Sequence, residues 1–193
     1  YNTFNTYGKT LSSAKNTDLV SASDNNQISG GTSNFITENP GTGNENEIEM
    51  ENGNKSAKRA VIKAIKNNKE YASTTEKRRE IVNYALQWVG NKYVYGGTSL
   101  KNGTDCSGFT MRVFEHFNIK LDRSSSDQRS NGKKVSKPKV GDLICYYGHV
   151  AIYIGDGKIV HASNSKPYPS GGIKISDSYD YRSIASIRDV IQD

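Results

Sequence analysis

The chain has 193 residues, a formal charge of +6, a pI near 9.2 and a mean hydropathy of −0.73, which leaves room for one domain plus an appendage or two small domains. No apolar run approaches the ~20 residues that a membrane-spanning helix needs. The two cysteines, Cys106 and Cys145, are too few for a disulfide-stapled fold and form no C-x-x-C zinc or dithiol motif. The chain opens on Tyr1 rather than Met and shows no signal-peptide pattern, so it reads as a mature form or a fragment.

Residues 1–56 are rich in Asn, Ser, Thr and Gly, and their apolar residues follow neither a helical nor a strand period. Such a stretch buries too little apolar surface to offset its ordering entropy. It reads as a flexible linker or as the remnant of an upstream region. Residues 56–70 read as a short basic helix with a narrow stripe of Val61, Ile62 and Ile65, expected to be a solvated linker helix. The linker region is therefore drawn over residues 1–72 and the globular domain over 73–193.

From Ser73 the pattern changes. Ser73 and Glu76 form an S-x-x-E capping box before a helix running to about Val89, with Ile81, Tyr84, Ala85 and Trp88 on one face and Gly90 just past its end. A second helix is predicted from about Ser107 to Phe117, burying Phe109, Val113, Phe114 and Phe117. Period-2 runs follow at 142–147, 149–154, 158–162, 172–176 and 183–189, separated by Gly-rich turns. Helices first and strands afterwards argue for an α+β domain with an antiparallel sheet.

Charge is uneven. Residues 81–193 hold 15 Lys/Arg against 10 Asp/Glu, whereas residues 1–80 hold 11 against 10. The basic excess suits work near a polyanion. No nucleic-acid motif and no basic–aromatic stacking run accompanies it, so nucleic acid is not expected as a partner.

Cys106 lies in Asp105-Cys106-Ser107-Gly108-Phe109 at the first turn of the second helix. Unpaired N–H groups and the positive end of the helix dipole there favour a thiolate, the reactive form. The same amides, including that of Cys106, can serve as an oxyanion hole. The bland alternative is a small buried Cys packed as a hydrophobe, which is the reading given to Cys145. His116 reads as a surface residue. His149 opens a strand on which His149, Ala151 and Tyr153 share one face and Val150, Ile152 and Ile154 the other. His161 follows on the next strand, and a tight Gly155-Asp156-Gly157 hairpin would set it beside His149. That is a nucleophile–base–orienter arrangement, with one imidazole taking the thiol proton and a third group holding its other nitrogen.

Taken together, Tyr93-Val94-Tyr95-Gly96-Gly97, Asp105-Cys106-Ser107-Gly108-Phe109, Gly141-Asp142-Leu143, Gly148-His149-Val150-Ala151-Ile152-Tyr153-Ile154-Gly155 and Val160-His161-Ala162 resemble the NlpC-type family of bacterial cell-wall cysteine peptidases over about residues 78–193. The resemblance implies a papain-like α+β fold, with the nucleophile-bearing helix packed on an antiparallel sheet that bears the His. It implies hydrolysis of amide bonds in peptidoglycan stem peptides, commonly the γ-D-glutamyl to diamino acid bond. By position Cys106 matches the nucleophile, His149 the base and His161 the orienting third residue. Tyr93, Asp105 and Ser107 match positions that line the site and hold the stem peptide, and Tyr95 matches an aromatic wall or a core position.

Two departures stand out: the hairpin between Leu143 and His149 is short, which leaves that rim of the cleft open, and Asp122 stands where a Pro is common. The reading calls for no metal and no cofactor. It expects a secreted or wall-associated bacterial monomer whose partner is the stem peptide. The alternatives are a CHAP-like amidase or crosslink endopeptidase, a non-catalytic wall-binding module, and a zinc site built from Cys106, Cys145, His149 and His161.

Overall fold

The computed structural model describes residues 48–193, so the part of the expected 1–72 linker region that falls in residues 1–47 lies outside the described residues. Three helices come first: α1 (Lys55–Ile65), α2 (Lys69–Ser73) and α3 (Glu76–Leu86). A two-stranded ribbon, β1 (Thr98–Ser99) and β2 (Gly103–Thr104), leads into α4 (Cys106–Glu115), followed by the short α5 (Ser125–Gln128). Six strands then form one sheet: β3 (Lys133–Val135), β4 (Leu143–Tyr146), β5 (His149–Gly155), β6 (Lys158–Ala162), β7 (Ile173–Ser176) and β8 (Ile184–Asp189). Their order is β3-β8-β4-β5-β6-β7, with every pairing antiparallel. The predicted α+β class and the five period-2 strands are all present.

The domain begins earlier than residue 73. Asn54 caps α1 by accepting the N–H groups of Ser56 and Ala57. Ala57, Val61 and Ala64 then share a buried face, with spacings of four and three residues, and join the same apolar core as Ile81, Phe109 and Ile152. Ile62 and Ile65 are only half-buried. The helix expected to be solvated is thus a packed element, because its small alanines extend the apolar stripe that the charged residues disguise. Asn68 ties the next turn to the sheet: its Nδ2 donates to Ile154 O at 3.0 Å and its Oδ1 accepts Tyr71 N at 2.9 Å. The Tyr153 hydroxyl adds a bond to Glu70 at 2.8 Å, and the Asp156 carboxylate accepts Lys69 N at 3.1 Å.

The expected Ser73–Glu76 capping box does not form. Ser73 closes α2, donating its hydroxyl to Lys69 O, and Thr75 takes the N-cap of α3 without a side-chain capping bond. The reason is local: Ser73 is taken up as the last residue of α2, a short helix that the sequence reading did not expect, and the break falls at Thr74.

One face of the sheet is covered by α1, α3 and α4, with Val150, Ile152, Ile154 and Val160 beneath them; the other face carries Ile144, Tyr146, Ala151, Tyr153, Ile159 and Ile187. Between α3 and the sheet sits Arg78, only 2% exposed. Its guanidinium donates to Asp142, Asp189 and Asp193, each at 2.8 Å, and to Val140 O at 2.9 Å. Asp142 also accepts Lys139 N at 2.8 Å, fixing the turn before β4.

Removing one member of a buried, hydrogen-bonded ion cluster leaves an uncompensated charge. Arg78→Met is expected to cost roughly 3–5 kcal/mol in urea unfolding. Glu115→Gln, which breaks the exposed pair with Arg112, is expected to cost under about 1 kcal/mol. Equal losses from the two variants would contradict the assignment of Arg78 as the buried hub.

Candidate active site

Cys106 is the first residue of α4, so its position follows from how that helix starts. Asp105 is the N-cap: its Oδ1 accepts Gly108 N at 2.7 Å, and its Oδ2 accepts Gly96 N at 3.0 Å from the preceding loop. Gly108 has to be glycine here, since a Cβ would lie 2.4 Å from Gly97 O and 2.7 Å from Thr104 Oγ1. The loop therefore rests directly on the first helical turn. From the other side Gln128, fully buried, donates to Ser107 O at 3.0 Å and to Asp122 O at 2.7 Å, and accepts from Thr110 Oγ1. That clamp delivers Arg123, whose guanidinium forks onto both oxygens of Asp105 at 3.0 and 2.7 Å and reaches Ser107 Oγ at 3.0 Å.

These bonds alter the expected part of Asp105. Its oxygens receive Gly96, Gly108, Ser107 and Arg123, so the carboxylate is committed to holding the helix start and Arg123 rather than lying open to a ligand. Burial alone would raise its pKa, but the Arg123 and backbone bonds outweigh it and hold the group below the ordinary carboxylate range. Tyr93 is half-buried and close enough to Cys106 and Asp105 for their charges to raise its phenol, after burial. Ser107 is buried beneath Arg123. Tyr95 is 90% exposed, which rules out the core alternative. Arg123 escaped sequence reasoning because its partner lies 18 residues away and no period marks it.

The Val150 N–H, one residue past His149, points at the thiol of Cys106 and brings the start of β5 to the helix N-terminus. His149 and His161 meet as expected, with His149 Nε2 2.7 Å from His161 Nδ1. The register pairs Ile152 with Val160, which sets His161 against Ala151 and makes His149 its diagonal neighbour on the same face. The small Ala151 side chain leaves space for the two rings. Tyr146 stacks on His149 with centroids 5.9 Å apart, and Tyr181 lies 6.0 Å from His161. Arg182 lies over both tyrosine rings, at 5.8 and 4.9 Å. Tyr181 and Arg182 were also missed, since the loop that carries them has no patterning of its own. Cys145 is buried on β4 and free, as is Cys106, and burial pushes its thiol up to about 11.

The protonation states differ from the expected thiolate. Burial raises the Cys106 thiol, and the Asp105 charge adds to this; the amides of Val150, Ser107 and Cys106 only partly offset it. Burial, with a contribution from Arg182, lowers His149 to about 4. Burial, His149 and nearby cations lower His161 to about 3. The resting site is a neutral thiol beside a neutral imidazole pair, because the sheet and the tyrosines remove the water that would stabilise charge.

A helix-borne cysteine at the edge of an antiparallel sheet that carries two histidines defines a papain-like α+β arrangement. The model of the NlpC/P60 family matches residues 90–181. A Haemophilus influenzae protein named a probable endopeptidase NlpC homolog is 35% identical over 130 residues, which cover 65% of this chain and 67% of that one. The Escherichia coli protein named murein DD-endopeptidase MepS/murein LD-carboxypeptidase is 44% identical over 96 residues, 46% of this chain and 50% of that one. This chain thus spans two thirds of the first relative and half of the second. Among solved structures, NlpC2 from Trichomonas vaginalis shares the fold with a TM-score of 0.55 at 21% identity, covering 65% of this chain and 51% of that one. The chain belongs to the NlpC/P60 family.

The buried histidines link stability to pH. The unfolded chain takes up protons at both histidines below about pH 6.5, whereas the folded chain resists until about 4 and about 3. Stability is therefore full above pH 6.5 and is lost as pH falls toward those lower values. Urea midpoints measured at pH 7.5 and pH 5 are expected to differ more in the parent than in a His149→Gln/His161→Gln double variant. An equal drop in both would show that the histidines are not buried in the neutral form.

Proposed function

We propose that this chain is a cysteine peptidase that hydrolyses amide bonds in peptidoglycan stem peptides. The observation that carries the proposal is the meeting of Cys106, on the first turn of α4, with the strand that begins at His149, itself paired to His161 at 2.7 Å. Family membership and the name of the E. coli relative, a murein endopeptidase, support the substrate class.

Because the resting pair is neutral, His149 works as a general base in step with attack. The thiol proton passes to its ring as sulfur bonds to the scissile carbonyl carbon. The imidazolium returns that proton to the leaving amine, and water activated by the same ring then cleaves the thioester. The N–H groups at the start of α4 face the position where the carbonyl oxygen becomes negative. Tyr93 and Arg123 hold the peptide, with the exposed Tyr95 near them, and Ser107, buried beneath Arg123, helps to hold that guanidinium. Asp105 acts through Arg123 and the helix start.

Within the stem, the γ-D-glutamyl to diamino acid bond is the one proposed. The E. coli relative is named for DD and LD bonds, so products must be read by mass. Acting on that substrate, the protein is proposed to work as a secreted or wall-associated enzyme. No helix among the described residues is long and apolar enough to cross a membrane. The protein is proposed to act as a monomer.

The test is digestion of purified muropeptides by the full chain, with fragments identified by mass spectrometry. The parent is expected to release stem fragments, and Cys106→Ala to lower the rate by about 10³-fold or more. A folded, reduced parent that binds wall but cuts no stem peptide would overturn the peptidase reading in favour of a binding module. Fragments showing cleavage between sugar and peptide would favour an amidase.

The pH profile is a separate check. His149 must be neutral to accept the proton, so kcat/KM should hold down to about pH 5 and fall as His149 is protonated near 4. An acid limb at 6.5 or above would contradict the neutral pair.

A further inference from the structure

The hydrogen bond between the two histidines continues on the far side of His161. His161 Nε2 lies 2.9 Å from Ser176 Oγ, at the end of β7. The register of β6 and β7 pairs His161 with Lys174, so Ser176 is the diagonal neighbour of His161 on the same face. Three adjacent strands, β5, β6 and β7, thus contribute one residue each to a row His149–His161–Ser176. His161 is 2% exposed, so bulk water does not substitute for either partner.

Proton bookkeeping along this row gives Ser176 a task. With Nε2 of His149 engaged by His161, the nitrogen left to take the thiol proton is Nδ1. For Nδ1 to be bare in the neutral ring, the proton of His149 must sit on Nε2 and be donated to His161 Nδ1. His161 Nδ1 must then be bare as well, which puts the His161 proton on Nε2, where Ser176 Oγ is the acceptor found among the described residues. The opposite tautomer of His161 would donate from Nδ1 to His149 Nε2 and drive the His149 proton onto Nδ1, blocking the base. The same need persists after proton transfer, when both nitrogens of His149 carry hydrogen and Nε2–H must find an acceptor.

We infer that Ser176 is a positioning residue of this site, whose hydroxyl accepts Nε2–H of His161 and holds His161 in the tautomer that presents a bare Nδ1 to His149. The inference rests on the reading of His149 as the base. A hydroxyl can also donate, so Ser176 does not forbid the other tautomer. It supplies the acceptor without which a buried N–H would be orphaned, an arrangement native structures rarely tolerate.

Two readouts on the full chain test this. Nitrogen-15 NMR of the histidine rings should show His161 as the Nε2–H tautomer in the parent, with a shift toward Nδ1–H in Ser176→Ala. In muropeptide hydrolysis, Ser176→Ala is expected to lower kcat about tenfold with KM within twofold, and Ser176→Thr, which keeps the hydroxyl, to restore both the rate and the ring signature. A parent spectrum with His161 protonated at Nδ1 would overturn the inference, as would a Ser176→Ala variant with unchanged tautomer and kcat. If the parent cuts no stem peptide, the functional reading falls, and the ring spectra alone still decide the part assigned to Ser176.

Discussion

The structure depends most on one carboxylate. Asp105 ends the loop that carries Tyr93 and Tyr95, starts the helix that carries Cys106, and receives the fork of Arg123, all through two oxygen atoms. A helix N-terminus leaves several N–H groups without partners, and a cap fixes where the first turn begins. Here the cap also decides where a thiol stands relative to a sheet. Gly108 adds the complementary constraint, admitting the loop oxygen where any side chain would exclude it. The short string from Asp105 to Gly108 is therefore a packing solution as much as a chemical one.

Chemistry at the site is shaped by exclusion of water. A helix dipole and three amides favour a thiolate at Cys106, yet burial wins and the thiol stays protonated. The same burial keeps both imidazoles neutral. In the proposed reaction a neutral pair would transfer its proton only as the bond to carbon forms, so that charge would appear close to the helix amides and the histidine row.

Much of this was legible in the sequence. The strands announced themselves because alternation and glycine turns are local signals, and the hairpin through Asp156 placed two histidines together by register alone. The helix bearing Cys106 was readable from Phe109, Val113 and Phe114. The capping box at Ser73 was misleading because the chain breaks at Thr74 into two helices, which composition does not reveal. Helix α1 looked solvated because four of its eleven residues are Lys or Arg, while the face that matters consists of Ala57, Val61 and Ala64. Arg123, Ser176 and Arg182 were invisible for a common reason: each matters through a partner from another element, and even the alternation of 172–176 marks Ser176 only as a strand residue.

The clamp at Asn68 has a mechanical meaning. Strand β5 is held at one end by Asn68 and Glu70 from α2, and it begins at the other end with His149. Seven residues of extended chain span about 20 Å. The helical strap at the start of the domain and the imidazole at the cleft thus anchor opposite ends of one rigid rod. A fragment that starts after the strap would leave that end of the rod held by strand pairing alone, with the carbonyl of Ile154 deprived of the Asn68 amide.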